Sequence, residues 1–298
     1  MKAKDLLGPM RLPFLVLAPA CVPLGISTAT WTTRGRINIL YAVLAFVGAL
    51  AAHISVNTLN EYFDYKSGLD LKTQPTPFSG GSGTLPAMPH LDRTALATGL
   101  ISLALAALIG IYFLTVWGLA LLPLGLLGIV VIVIYTTWLT HSPLLCLIAP
   151  GLGFGTLMVM GTDFVLNGTY TWAAFFASLV PFFLVSDLLL LNQFPDVEAD
   201  RSVGRRHYPI VLGRRTASII YGAFLALAYL SLALGVLLRF LPLAALLGLL
   251  TLPFAIRAAL GVRRHAEDVE QLVPLMGLNV LITVLTPILT AVGLFIAA

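Results

Sequence analysis

The sequence predicts an all-α polytopic membrane protein with nine transmembrane helices, and three observations carry that reading. The 298 residues are 59% hydrophobic but only 10% charged, with a mean hydropathy of +0.97; an ordinary soluble domain is about a quarter charged. The apolar residues come in runs of about 20, the length that crosses a hydrocarbon core. When these runs are threaded through a bilayer in alternation, 14 of the 17 lysines and arginines fall on one side.

The first run, 12–30, follows M-K-A-K-D-L-L-G-P-M-R. It lacks a small-residue cleavage site after a short apolar core, so it reads as a retained span. The second, 38–60, sits in a stretch free of Asp, Glu, Lys and Arg from Ile37 to Asn60. Residues 94–162 also contain none of these, and Trp117-Gly118 and His141-Ser142-Pro143 divide them into spans 94–116, 119–139 and 143–162. The remaining spans are 171–194, 216–238, 241–260 and 271–296. With the N-terminus inside, the inner segments carry Lys2, Lys4 and most other cations, while the outer ones carry Arg34, Arg36 and Arg239. Positive charge stays on the cytoplasmic side, so the N-terminus is expected inside and the C-terminus outside, in a prokaryotic inner membrane. An even number of spans would spoil the asymmetry.

Composition also excludes some classes. Cys21 and Cys146 lie in apolar surroundings, which fits packing and neither a disulfide framework nor a metal spacing. The net charge of +4 comes from short loops between apolar runs and does not signal nucleic acid.

The two longer inner loops, 61–93 and 195–215, are where function is expected. Seven of the 13 acids gather at them: Glu61, Asp64 and Asp70, then Asp187, Asp196, Glu198 and Asp200. On a helix, Asn57, Asn60, Glu61 and Asp64 fall within about 100° of one face. Asn192, Asp196 and Asp200 are spaced i, i+4, i+8, so a continuous helix would put them on one face as well. Massed carboxylates repel one another and are costly at a membrane unless paired or metal-bound. Their oxygens, with the amides beside them, suit Mg²⁺, which usually bridges a few carboxylates to substrate phosphates.

The stretches N-T-L-N-E-Y-F-D-Y-K-S-G-L-D and N-Q-F-P-D-V-E-A-D-R-S-V-G-R-R resemble the two motifs of the UbiA superfamily of intramembrane prenyltransferases. The family carries them on spans two and six of nine. Asn57, Asn60, Glu61, Asp64, Gly68 and Asp70 are most similar to the pattern of the 1,4-dihydroxy-2-naphthoate polyprenyltransferase branch, and Asp70 is the acid that points to it. The sequence departs from the family in three places. Glu61 stands where Asp is usual, the loop K-T-Q-P-T-P-F-S-G-G-S-G has no Arg before its prolines, and Asp187 sits mid-span.

The resemblance implies a single domain, 1–298, with motif loops 57–93 and 192–215 around a central cavity open to the cytoplasm. It implies Mg²⁺-dependent transfer of a prenyl group from a prenyl diphosphate to an aromatic quinone precursor, with two ions bridging the diphosphate. Asn60, Glu61, Asp64, Asn192, Asp196 and Asp200 would be the metal set. Lys66, Lys72, Arg201, Arg205 and Arg206 would be the diphosphate clamp, and Asp64, Asp196 and Tyr135 would serve the chemistry. Tyr135 stands near the expected position of the prenyl C1, where cation–π attraction gives it a purpose.

Asp187 lies about 13 Å deeper than Asp196 along a helix and is expected to face the cavity, orienting the acceptor, taking a proton, or pairing with a buried donor. Arg11 and His53 are further candidate acceptor contacts. Ser79-Gly80-Gly81-Ser82-Gly83 fits either a phosphate nest or a lid, and Gly151, Gly153 and Gly155 fit close helix packing. Other chemistries on the same fold stay open: 4-hydroxybenzoate or haem prenylation, chlorophyll-type esterification, lipid-ether synthesis and terpene cyclisation. A cation transporter would hold its acids near the midplane, whereas all but Asp187 stand at one edge. The D-G-x-x-A-R signature of CDP-alcohol phosphotransferases is absent.

Overall fold

The computed structural model describes residues 7–298, and these are all-helical apart from turns and loops. Lys2 and Lys4, counted among the inner cations, lie outside the described residues. The helices are α1 (Leu17–Thr33), α2 (Ile39–Ser67), α3 (Asp92–Trp117), α4 (Leu122–Ile134), α5 (Pro143–Gly151), α6 (Met158–Asn167), α7 (Trp172–Asn192), α8 (Gly213–Leu237), α9 (Leu252–Arg264) and α10 (Val269–Ala297).

Local signals set several ends. The Asn38 side chain accepts a hydrogen bond from the Tyr41 N–H at 3.3 Å and starts α2. Thr171 starts α7 in the same way through Ala174, and Asp268 starts α10 through Gln271. These are N-caps that satisfy otherwise orphaned amides. Gly68 ends α2 in the left-handed conformation, with φ 78°, where a glycine costs nothing sterically.

Among the described residues, eight helical stretches are long and apolar enough to cross a bilayer, one fewer than expected. The difference lies at Pro89–Ile134, which forms one helical run of 46 residues where two spans were expected. Its corner is a 3₁₀ segment, Gly118–Leu121, entered through Gly118 at φ 74° and ψ −168°. That corner is pinned to the α6–α7 connection. The Trp117 indole donates to the Val165 carbonyl at 2.9 Å, and the Tyr170 hydroxyl donates to the Ala120 carbonyl at 2.9 Å. The span expected at 241–260 begins as a 3₁₀ helix, Leu243–Thr251, before becoming α9.

Helix α1 is the central post and packs against α2, α6, α7, α9's neighbour α10 and the π-helical link Leu152–Leu157. That link joins α5 to α6, and a Cβ on Gly151 or Gly155 would run into the Phe182 backbone of α7. The glycines therefore permit close helix approach, as read from the sequence. The main core, with Leu24, Leu184, Tyr221, Leu232 and Met276, lies among α1, α7, α8 and α10. On the outside, α3 exposes Leu100, Ile101, Leu105, Leu108 and Ile111. A bilayer solvates such a surface, while the backbone bonds stay within each helix.

The second motif corrects a sequence expectation. Asn192, Asp196 and Asp200 do not lie on one continuous helix. Helix α7 stops at Asn192, residues 193–196 turn, and a separate short helix runs Val197–Ser202. Pro195 is the cause: its ring restricts Phe194, and it has no N–H to continue the ladder. Asp196 becomes the residue before the new helix, at φ −88° and ψ 3°.

Candidate active site

A chamber of about 520 Å³ runs from the ends of α2 and α7 toward the opposite end of the bundle. Its mouth is lined by Arg11, Asn57, Asn60, Asp64, Asp70, Asn192, Asp196, Asp200, Arg205 and His207. Its body is apolar, walled by residues of α2, α3, α4 and the Leu152–Leu157 link such as Ala49, Ile109, Leu124, Ile132, Phe154 and Leu157.

The mouth is held together by one guanidinium. Arg205 bonds to Asp64 of the first motif and, at 3.0 Å, to Asp200 of the second. Gly204 makes this possible: at φ 83° it turns the chain, so that the Arg205 N–H reaches back to the Asp200 carbonyl at 3.1 Å. Burial works against the charge on Arg205, but Asp64 and Asp200 more than offset it, and its proton is held more tightly than usual. The second oxygen of Asp200 meets His207 Nε2 at 3.0 Å. Asp70 and Asp196 are left with less support. Burial, reinforced by the neighbouring charges of Glu61 and Asp64, pushes the Asp70 carboxyl up to about 7. Burial with Asp200 alongside does the same for Asp196, also to about 7.

The amides differ in how far they are engaged. Asn60 donates to the Thr136 hydroxyl at 3.0 Å, and Asn57 donates to the Met10 carbonyl at 3.0 Å. Asn192 Oδ1 and Asp70 Oδ2 are buried without a hydrogen-bond partner among the described residues. Among the described residues, no three His, Cys, Asp or Glu side chains close into a metal cage. The donor set nevertheless fits Mg²⁺, which prefers one or two carboxylates and substrate oxygens to an all-protein shell.

The other predicted residues scatter. Of the five cations expected to clamp a diphosphate, only Arg205 lines the chamber. Lys66 pairs with Asp92 at 2.6 Å, Arg201 pairs with Glu198 at 3.3 Å, and Lys72 donates to Ser202 at 3.3 Å. Arg206 is exposed. Glu61 is fully buried behind the chamber wall, bonded to Arg11 and Ser82. Tyr135 and Arg11 line the chamber, as does His53, which packs edge-on to Phe154 with ring centroids 4.5 Å apart.

Asp187, expected to face the cavity, is fully buried and not part of its lining. The chamber side of α7 is defined by Leu189, Asn192 and Gln193, and Asp187 sits about 120–160° around the helix from them. Its depth follows from residue spacing along α7, whereas its direction depends on how α7 is rotated in the bundle. His207 joins the site through Asp200 and lines the chamber, and its sequence signal is its position two residues after Arg205.

Comparison with known proteins supplies the family. A model of the UbiA prenyltransferase family matches residues 20–281. The chain belongs to the UbiA prenyltransferase family. It is similar to the 1,4-dihydroxy-2-naphthoate octaprenyltransferase of Escherichia coli, 28% identical over 295 residues that cover 98% of this chain and 94% of that one. It is also similar to the enzyme of the same name from Bacillus subtilis, 27% identical over 219 residues, or 72% of this chain and 68% of that one. The fold is shared with a UbiA homolog from Archaeoglobus fulgidus bound to DMAPP and Mg²⁺, at a TM-score of 0.63 and 13% identity over 99% of this chain and 100% of that one. This UbiA protein is therefore an integral membrane prenyltransferase, and its motifs meet at the mouth of the chamber.

Proposed function

We propose that the protein transfers a prenyl group from a prenyl diphosphate to an aromatic acceptor of the dihydroxynaphthoate type, releasing diphosphate. One observation carries this reading: a single chamber joins an oxygen-rich, charged mouth to a long apolar body. A prenyl diphosphate has the same two-part character. The names of the Escherichia coli and Bacillus subtilis relatives supply the acceptor class.

In this reading the prenyl chain lies along α2, α3 and α4, and the diphosphate sits among Asp64, Asp196, Asp200 and Arg205. Asn60, Asp64, Asn192, Asp196 and Asp200 would hold Mg²⁺, which would neutralise the leaving diphosphate. Arg205 supplies a fixed guanidinium at the same place, where planar donors match phosphate oxygens. The prenyl C1–O bond breaks with its electron pair going to diphosphate, and an acceptor ring carbon bonds to C1 with a π electron pair. That carbon then regains its aromatic electrons by releasing the group it carried, a proton passed to water or the departing diphosphate, or CO2 if the carbon bore the carboxylate. Tyr135, at the end of α4, faces the chamber and offers a π face to positive charge developing on the prenyl carbon. The apolar walls keep water away from that carbon.

We place the mouth in the cytoplasm of a prokaryotic cell and read nine crossings. The 46-residue run is about twice what one crossing needs, and it bends at Gly118.

The test is purified protein with Mg²⁺, prenyl diphosphates of several lengths, and either 1,4-dihydroxy-2-naphthoate or 4-hydroxybenzoate, with products read by mass spectrometry. Prenylated naphthalene product is expected. Diphosphate release without any acceptor would replace this reading with cyclisation, and no release in any combination would end it.

A further inference from the structure

Glu61 occupies a motif position and makes contacts of another kind. Its side chain is fully buried and is not among the chamber-lining groups. Both of its oxygens are taken up by protein donors. Oε1 accepts from Arg11 Nε at 2.5 Å and from the Ser82 backbone N–H at 2.8 Å, and Oε2 accepts from the Ser82 hydroxyl at 2.7 Å. A buried carboxylate so satisfied has little to gain from a metal and much to lose by turning away.

These bonds join three segments that are distant in sequence. Arg11 belongs to the leading segment and holds a left-handed backbone, φ 51°, unusual for a residue with a Cβ. One turn before Glu61, Asn57 donates to the Met10 carbonyl and fixes the same segment a second time. Ser82 lies in the glycine-rich loop, next to Gly81 at φ 75°, and a Cβ on Gly81 would press on Asp70. Ser79, Gly80 and Gly81 line the mouth. With Nε held by Glu61, the two terminal nitrogens of Arg11 have no hydrogen-bond partner among the described residues, and Arg11 lines the chamber.

We propose that Glu61 is a positioning residue and not a metal ligand: it latches the glycine-rich loop over the mouth and aims the free face of Arg11 at an anionic oxygen of a substrate. The substrate part rests on the proposed transferase reading; the latch does not. The anionic oxygen is either the diphosphate or the carboxylate of the acceptor. The added methylene of Glu over Asp gives the reach to Arg11 and Ser82 from the back of α2.

Hydrogen exchange of residues 79–84, measured on the full chain in detergent without metal or substrate, tests the latch independently of turnover. Glu61→Gln keeps the shape, and Ser82→Ala removes one bond if Glu61 variants fold poorly. Each should speed exchange in this loop about tenfold, as expected for loss of a hydrogen bond to a charged group, while the Mg²⁺ concentration for half-maximal activity stays within about twofold. Unchanged exchange together with a Mg²⁺ requirement raised about tenfold would make Glu61 a ligand and overturn the latch. Arg11→Ala then identifies the oxygen. A higher KM for the naphthoate but not for its analogue without a carboxylate assigns the acceptor, and a higher KM for prenyl diphosphate assigns the diphosphate. No change in either removes Arg11 from substrate contact.

Discussion

A cluster of buried carboxylates and a lone buried carboxylate stand at opposite ends of the bundle, and their surroundings are built differently. At the mouth, Asp64 and Asp200 share the Arg205 guanidinium and face an open chamber. At the other end, Asp163 is fully buried and accepts bonds from neutral donors: Thr28 at 2.8 Å, Asn167 at 3.0 Å and Thr171 at 2.9 Å. The lone carboxylate ties α1, α6 and the start of α7 together. Burial of an acid is thus not a mark of chemistry. What distinguishes the mouth is a cationic partner, a second acid within its reach, and a space for substrate.

The comparison can be broken at either end. Asp64→Asn should have the largest effect, lowering turnover on the order of 10²–10³-fold while thermal unfolding stays cooperative; near-normal activity would remove Asp64 from the site. Arg205→Leu should also lower activity strongly, and it leaves two carboxylates facing each other without their shared cation. Added Mg²⁺ should therefore raise the thermal midpoint of this variant more than that of the native protein. Asp163→Ala should do the reverse: a loss of about 2–3 kcal/mol in stability from three stranded donors, with kcat kept in the molecules that remain folded. A fall in kcat without a fall in midpoint would erase the distinction between the two ends.

Acidity gives a subtler contrast. The Asp70 and Asp196 carboxyls are raised to about 7, so the folded protein holds these protons more tightly than the unfolded chain does. Their contribution to stability is present at low pH and is lost as pH rises through about 7. Without metal, the thermal midpoint should be higher at pH 6 than at pH 8, and Asp70→Asn with Asp196→Asn should flatten that slope. The smallest effect is expected at Asp187. Both its oxygens are buried without hydrogen-bond partners among the described residues, and it lies off the chamber. Asp187→Asn should leave kcat and both KM values within about twofold and keep or slightly raise stability. A tenfold loss of acceptor affinity would return it to the site.

The sequence made the fold class, the helix sequence and the two motifs legible because each depends on local spacing. Asn60 and Asp64 could be placed on one helix face without coordinates, and the structure puts both at the mouth. The break at Pro195 was also visible in N-Q-F-P-D, where proline stops a helix, but the i, i+4 spacing of Asn192, Asp196 and Asp200 was given more weight. Other features depend on how helices are rotated against each other, which no single segment encodes. Asp187 was recognised by its depth and misjudged in direction. Asp163 meets Asn167 and Thr171 from its own stretch, but its bond to Thr28, 135 residues away, depends on how α1 packs on α6. Lys66 and Arg201 looked like phosphate ligands by position, yet each has an acid of its own nearby.

The two-toned chamber also bears on what happens after the reaction. The proposed products have opposite partition preferences: diphosphate belongs to water, and a prenylated ring belongs to lipid. A mouth of oxygens above an apolar body would sort them by solubility alone, one to each phase. Neither product would then have to pass the other on the way out, and the bilayer would act as the sink that draws the turnover forward.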